Sequence, residues 1–299
     1  MPRPAVVLDA PAPVQPRRSG LFLAATGPME NMDGHVLDVG ATWWTDACGG
    51  ARLYPAGCMD TPYAPFQLDV AGGMEMAYPF HVYATTVCPP LGTDAAEART
   101  RVLRRLSQGE EEAVERAFWG GQALIDNPPP YVDTPAIKGL LQLLSEEVPT
   151  GITVLPGTAA TVKEAVSKLE QAAADAAYNG PTLLHARPGI AAYAGGAGLI
   201  RTRISSDGEH QYTHAGSEWV FGRGYSGASP DNTVQPDATS EYMVITGRVF
   251  VWRVPGDQIM VSPPDQVLDK TTNQRGMIAD RPYAIGVDCF AAAIKVTRA

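Results

Sequence analysis

Charge is what this chain has least of. Only 18% of its 299 residues are Asp, Glu, Lys or Arg, against about 25% in an average soluble protein. Lysine is scarcest, with five among the 23 basic residues and none before Lys138. What charge there is leans acidic, with a formal net charge of −9. That balance excludes a general nucleic-acid binder held by a basic surface. A surface short of charge suits subunit contacts, because the cores of protein interfaces lose charged residues. The four cysteines, Cys48, Cys58, Cys88 and Cys289, form no Cys-x-x-Cys pair, and no histidine stands at zinc-finger spacing from them. Buried free thiols are expected instead. No apolar run approaches the ~20 residues of a membrane helix. Prolines and Asp9 interrupt the N-terminal region, so no signal-peptide core forms. A soluble chain made in the cytoplasm is the expectation.

The residues that are abundant point to extended structure. There are 30 glycines and 26 prolines, in a chain long enough for one large or two modest domains. Pro2, Pro4, Pro11, Pro13 and Pro16 keep the first twenty residues from forming helix. Such a segment is either a frayed terminus or a strap that orders on a neighbouring subunit. Residues 36–76 read as extended chain that is aromatic, glycine-rich and nearly free of charge. Within it, Trp43-Trp44 and Leu53-Tyr54 flank Gly49-Gly50 as a hairpin tip. Tyr78 to Val87 then alternates as a strand.

A long charged helix follows, from Thr93 to Trp119. Asp94 and Glu97 form an N-terminal capping pair, with Thr93 as the alternative cap. Ala95, Ala98, Val102 and Leu106 make one apolar stripe; Ala113, Val114, Ala117 and Phe118 make a second. Gly109 falls between the stripes and could bend or divide the helix. Trp119 reads as a buried anchor ahead of the stop at Gly120-Gly121.

Beyond Asn127-Pro128-Pro129-Pro130, a short helix is expected between Pro135 and Glu147. A capping box at Thr161-x-x-Glu164 opens another that runs to about Tyr178. Thr182–His185 is a short buried strand, and Pro188 opens a helix at its first position. Ile200–Ser205 and Glu209–His214 form a hairpin around Asp207-Gly208. Strands follow near Trp219–Phe221, Tyr242–Thr246 and Val249–Val254, and Tyr283–Val296 supplies one or two more. The fold class is α+β, without repeats.

Each motif with a chemical reading has a structural one that fits better. Gly222-Arg223-Gly224-Tyr225-Ser226-Gly227 matches G-x-G-x-x-G, but turn residues follow where a dinucleotide site needs a helix. His210 and His214 have the spacing of helical metal ligands, yet their surroundings alternate as a strand, which makes them a surface or interface pair. His185 has no G-x-S-x-G partner, and Cys289 sits in an apolar stretch where a thiol is inert. Glu110, Glu111 and Glu112 are consecutive on a helix, so they diverge and read as a solvated face. No catalytic, cofactor-binding or metal-ligating residue is assigned, no cofactor is expected, and the chain is not read as an enzyme.

The phrases Ala113-Val114-Glu115-Arg116-Ala117-Phe118-Trp119-Gly120-Gly121, Leu184-His185-Ala186-Arg187-Pro188, Gly222-Arg223-Gly224-Tyr225 and Ala279-Asp280-Arg281-Pro282-Tyr283-Ala284-Ile285-Gly286-Val287 carry a resemblance. With the order of elements, they make the chain similar to tailed-bacteriophage major capsid proteins of the Hong Kong 97 fold, in particular those of phages infecting high-GC actinobacteria. The resemblance implies an N-terminal arm at 1–35, an E-loop at 36–76, and a P-domain at 77–150 whose spine is the 93–119 helix. It further implies an A-domain at 151–254, a return to the P-domain at 255–280, and C-terminal A-domain strands at 281–299. The implied function is an icosahedral shell of hexamers and pentamers around double-stranded DNA, found in the virion and assembled in the host cytoplasm. Its partners would be further copies of itself, portal and scaffolding proteins, with or without a decoration protein, and no membrane. Some members cross-link their shells from an E-loop lysine; 36–76 has none, which implies a non-covalent shell. An encapsulin-like compartment on the same fold and a soluble hydrolase using His185 are the alternatives.

Overall fold

The computed structural model describes residues 20–30, 41–44, 74–88, 95–120, 139–146, 151–159, 161–262, 268–269 and 274–298. The described residues open with a short helix α1 (Leu21–Ala24) and strands β1 (Thr26–Met29), β2 (Ala41–Trp44) and β3 (Met74–Cys88). The long helix α2 (Ala95–Trp119) follows, then α3 (Leu140–Glu146), β4 (Thr153–Ala159), α4 (Val162–Asp175), β5 (Leu183–Ala186) and α5 (Pro188–Gly196). Strands β6 (Arg201–Ile204), β7 (Glu209–Tyr212), β8 (Glu218–Phe221), β9 (Ser240–Thr246) and β10 (Val249–Arg253) come next. After one 3-10 turn at Gly256–Gln258, the chain closes with β11 (Met260–Val261), β12 (Leu268–Asp269), β13 (Gln274–Val287) and β14 (Ala291–Thr297).

These strands make two seven-stranded sheets. The first runs β1-β10-β13-β3-β2, with β11 and β12 also pairing β13. The second runs β4-β14-β9-β5-β8-β7-β6. Two adjacent strand pairs continue from one sheet into the other. Strand β9 passes through Gly247 and Arg248 into β10, while β13 passes through Asp288, Cys289 and Phe290 into β14. Thr246 pairs with Ala291 on one side of this waist and Val249 with Val287 on the other. Gly247 N–H donates to Phe290 O at 2.7 Å, and Asp288 N–H donates to Arg248 O at 2.8 Å. Tyr178 sits over the waist, its hydroxyl donating to Asp288 Oδ2 at 3.2 Å and accepting from Arg248 N at 3.0 Å. Burial pushes that hydroxyl up to about 12. Cys289, within the waist, is disulfide-bonded, which corrects the free-thiol expectation at this position.

Helix α2 lies on the first sheet. Its buried Val102, Leu106, Val114 and Phe118 join one core with Val82, Val251, Met277, Tyr283 and Ile285. The helix passes through Gly109 without interruption. Glu97 pairs with Arg101 at 2.5 Å; the capping residues Thr93 and Asp94 lie outside the described residues. Strand periodicity gives the second sheet two apolar faces. Leu183, Val220, Val244 and Ala293 turn toward the core shared with α2. Leu184, Ala186, Trp219, Met243, Ile245 and Ile294 turn toward α4 and α5, against Val166, Leu169 and Ile190. The alanines of β14 let α4 approach closely.

Helix α4 starts as its capping box predicts, with Thr161 Oγ1 accepting from Glu164 N–H at 3.2 Å. Pro188 stands at the start of α5, and the 201–212 hairpin forms as expected. Strand β2 pairs antiparallel with Met74–Ala77 of β3; Gly49-Gly50 and Leu53-Tyr54 lie outside the described residues, as do most of 1–35 and 36–76. Two expected domain boundaries cross the first sheet. Strand β10, grouped by sequence with 151–254, and the end of β13, grouped with 281–299, both pair within it.

Replacing Leu106, only 2% exposed, with alanine should cost about 2–5 kcal/mol. Urea unfolding of dissociated subunits would register this as a lower midpoint with an unchanged slope. A loss below about 1 kcal/mol would mean that α2 is not clamped to the sheet as described.

Candidate functional site at the end of the long helix

The second half of α2 carries carboxylates where an amphipathic helix would carry apolar residues. Glu115 is fully buried and Glu111 is 8% exposed. Glu115 Oε1 accepts from Leu21 N–H at 3.3 Å and Glu115 Oε2 accepts from Gly224 N–H at 3.0 Å. Glu111 Oε1 accepts from Phe22 N–H at 3.3 Å. The two carboxylates, one turn apart on one helix face, thus receive the free N–H groups that open α1. Hydrogen bonds to ionised groups contribute about 1.5–3 kcal/mol each, and a buried donor left without one is costly.

Glu110 points elsewhere. Its carboxylate receives Arg253 Nη1 at 3.0 Å, Arg281 Nη1 at 3.2 Å and the Tyr283 hydroxyl at 2.7 Å. Arg281, 5% exposed, also donates through Nε to Val254 O at 2.7 Å. Both arginines reach Glu30, just beyond β1, whose carboxyl is held below its usual range first by the Arg253 hydrogen bond. Burial, then the Glu110 charge, raises the Tyr283 hydroxyl, so it stays protonated and donates. Glu112 pairs with Arg116 at 3.0 Å. The divergence expected of Glu110, Glu111 and Glu112 is therefore present, but Glu110 and Glu111 are not solvated. They diverge because they bind different parts of the chain.

The helix ends inside an aromatic cluster. The Phe118 ring lies tilted against His185 at 4.6 Å and 5.7 Å from Tyr225, while Trp119 lies 4.9 Å from Tyr225. Trp119 Nε1 donates to Ala228 O at 3.0 Å, which makes the anchor predicted for this residue a hydrogen-bonded one. His185 Nε2 and the Thr246 hydroxyl meet at 2.8 Å, and that hydroxyl donates onward to Gly247 O at 2.8 Å. Nε2 therefore carries the proton, and Nδ1 accepts from the Tyr225 hydroxyl at 2.9 Å. Burial lowers the His185 pKa to about 3. This neutral imidazole, with both nitrogens bonded and no exposed surface, ties β5 to β9 and to the loop after β8.

The Gly222–Gly227 motif is explained by packing. A Cβ on Gly224 would lie 2.2 Å from Glu112 O and 2.8 Å from Arg116 N, so only glycine lets this loop touch the helix backbone. Gly227 adopts φ +74°, a conformation that favours glycine. His210 and His214 do not converge. His210 is buried between Glu218 Oε1 at 2.6 Å and Asp207 Oδ1 at 3.2 Å, whereas His214 Nε2 meets Gly198 O at 3.0 Å on the surface. Burial pulls the His210 pKa down, but the bonds to Glu218 and Asp207 together raise it above its usual value. Among the described residues, no three His, Cys, Asp or Glu side chains form a metal site, and no helix is long and apolar enough to cross a membrane.

Two predictions follow from this geometry. Gly224→Ala should destabilise the subunit by about 1–3 kcal/mol through overpacking, read from urea or thermal unfolding; wild-type stability would show the helix–loop contact to be loose. In imidazole NMR spectra, His185 should stay neutral from about pH 8 to about pH 5, while His210 should hold its proton above the usual ~6.5. The corresponding stability effects have opposite sign. His185 costs stability as pH falls below its unfolded value, since only the unfolded chain takes up the proton. The His210 contribution is present at low pH and lost as pH rises through its raised value. An imidazolium signal for His185 at pH 5 would contradict the buried, neutral assignment.

No protein-family model matches the sequence, and no curated protein matches it. Among solved structures, a chain from the capsid of an empty GTA particle matches with a TM-score of 0.51 and 14% identity, over 99% of this chain and 94% of that one. A chain from Mycobacterium phage Adephagia matches with a TM-score of 0.50 and 14% identity, over 95% and 92%. A chain from Microbacterium phage Oxtober96 matches with a TM-score of 0.50 and 12% identity, over 98% and 96%. The likeness runs from end to end of both partners, and this α+β chain therefore has the fold of these phage and capsid chains.

Proposed function

We propose that the protein is a major capsid protein, a subunit that assembles with copies of itself into an icosahedral shell of hexamers and pentamers around phage double-stranded DNA. The observation that supports this best is the extent of the likeness to the GTA capsid chain, 99% of one chain and 94% of the other. A shared module would match locally. The described core also argues for structure over chemistry, since its buried titratable groups are spent on holding backbone together.

On this reading the first sheet with α2 is the P-domain and the second sheet with α4 and α5 is the A-domain. The segments 1–35 and 36–76 are the N-terminal arm and the E-loop; they lend β1 and β2 to the P-domain sheet and otherwise meet neighbouring subunits. The A-domain regains the chain at β14, because β13 stays in the first sheet throughout. The shell is non-covalent, portal and scaffolding proteins are the partners, and assembly takes place in the host cytoplasm.

Negative-stain microscopy of the purified protein should show closed particles of uniform size, and a denaturing gel should show a single subunit band. A stable monomer would overturn the shell reading, and a ladder of cross-linked bands would overturn its non-covalent form. Encapsulated protein in place of DNA would favour the compartment alternative.

A further inference from the structure

His210 is held between two acids. Its Nδ1 lies 2.6 Å from Glu218 Oε1 on β8, and its Nε2 lies 3.2 Å from Asp207 Oδ1 in the turn between β6 and β7. An ionised carboxylate only accepts hydrogen bonds, and a neutral imidazole has a single N–H to give. Both bonds are therefore made together only by the imidazolium. The two acids differ in what losing that bond costs. Glu218 is 13% exposed and Asp207 is 61% exposed. On proton loss the remaining N–H stays with the buried acid, and Asp207 turns to water.

Among the described residues, no neighbouring group takes over the missing proton. Arg203 pairs across the strands with His210, and its guanidinium lies 5.9 Å over the Tyr212 ring. Arg201 occupies the same face of β6, and both arginines stay charged throughout the range in which histidine titrates. Tyr212 is raised, first by burial and then by the Glu218 charge, so it stays neutral there. Glu209 alternates to the opposite face of β7, and Glu170 of α4 accepts from the Thr213 hydroxyl.

Helix α1 packs against the same turn. A Cβ built on Gly208 would lie 3.0 Å from Leu23 Cδ1, so the leucine sits directly against the residue that follows Asp207. Gly208 adopts φ +154°, and its carbonyl accepts from Ser205 N–H at 2.8 Å. The four residues of α1 also pack on β8, and their opening N–H groups are received by Glu115 and Glu111. They carry no titratable side chain. The seat of Leu23 thus depends on where Asp207 holds the turn.

We propose that His210 is a proton-operated clasp. As the imidazolium it ties the 205–208 turn to β8 and seats α1 there; as the neutral imidazole it lets the turn go. Against its burial, the bonds to Glu218 and Asp207 hold His210 above its usual value. The clasp is therefore closed at about pH 6.5 and opens as pH rises through that raised value. In stronger acid it weakens again, because Glu218, itself raised by burial, becomes protonated. Every contact lies within one chain, so the clasp operates whether or not the subunit assembles.

The test follows the Leu23 methyl signals in NMR spectra of full-length dissociated subunits from about pH 6.5 to about pH 10, beside the His210 imidazole signal. In wild type the methyl signals should move with the same midpoint as the imidazole. In Asp207→Asn, His210 should still titrate, at a lower midpoint, while most of the methyl movement is lost, because an amide can bond either form of the ring. Asp207 is exposed, so this variant leaves the core intact. Unfolding in urea gives a second readout. Leu23→Ala should lower the midpoint about twofold more at the low pH than at the high one, and equally at both in the Asp207→Asn background. Methyl signals that stay put through the His210 titration would overturn the clasp. So would full methyl movement in Asp207→Asn, or a Leu23→Ala effect independent of pH in the wild-type background.

Discussion

The buried carboxylate of Glu115 joins three parts of the chain that are far apart in sequence. It projects from α2, accepts from Leu21 N–H at the start of α1, and accepts from Gly224 N–H in the loop after β8. Taking a carboxylate out of water costs several kcal/mol unless its lone pairs are satisfied in good geometry. Both contacts must therefore be made together, which fixes where the N-terminal segment crosses the helix and how closely the second sheet approaches it. The glycine at 224, the Phe118–His185 ring contact and the Trp119–Ala228 bond all lie downstream of that placement. The Glu110–Arg253–Arg281–Tyr283 network does the same on the first sheet, where it ties in Glu30. Such networks are weak evidence for stability but strong determinants of a single arrangement.

Much of the secondary structure was legible because it is encoded locally. Thr161 and Glu164 announce α4, Pro188 announces α5, and Asp207-Gly208 announces the 201–212 hairpin. The failures have physical causes. Strand β4 escaped notice because Pro156 and Gly157 interrupt its alternation, and Gly157 adopts φ +78° in an exposed, irregular edge pairing. The run Glu110-Glu111-Glu112 looked solvated because a helical wheel shows only that such residues diverge. It does not show that a different buried donor waits in each direction. One clue was present in the sequence: the apolar stripe stops after Leu106 and resumes only at Ala113, and the buried position between them is acidic, Glu111. The bonds of His185 to Tyr225 and Thr246 join residues forty and sixty-one positions away, beyond any local pattern.

The second sheet explains why so little charge is needed. Its central strands β14, β9, β5 and β8 are covered on both faces, by α4 and α5 on one side and the end of α2 on the other, so there period-two alternation selects between two apolar environments rather than between core and water. That arrangement suppresses the polar positions a half-exposed sheet would contribute. It also accounts for the run of alanines in β14, whose small side chains let layers pack closely on both sides.

The waist between the sheets has a mechanical consequence. Two antiparallel crossings, 247–248 and 288–290, form a narrow ribbon, and a ribbon flexes readily across its thin dimension while resisting shear along its length. Tyr178 and Asp288 rivet that ribbon where it is thinnest. Helix α2 spans the same gap as a separate strut, lying on one sheet and ending within the other half at Trp119. A flexure with a strut across it has a single soft direction and a stop.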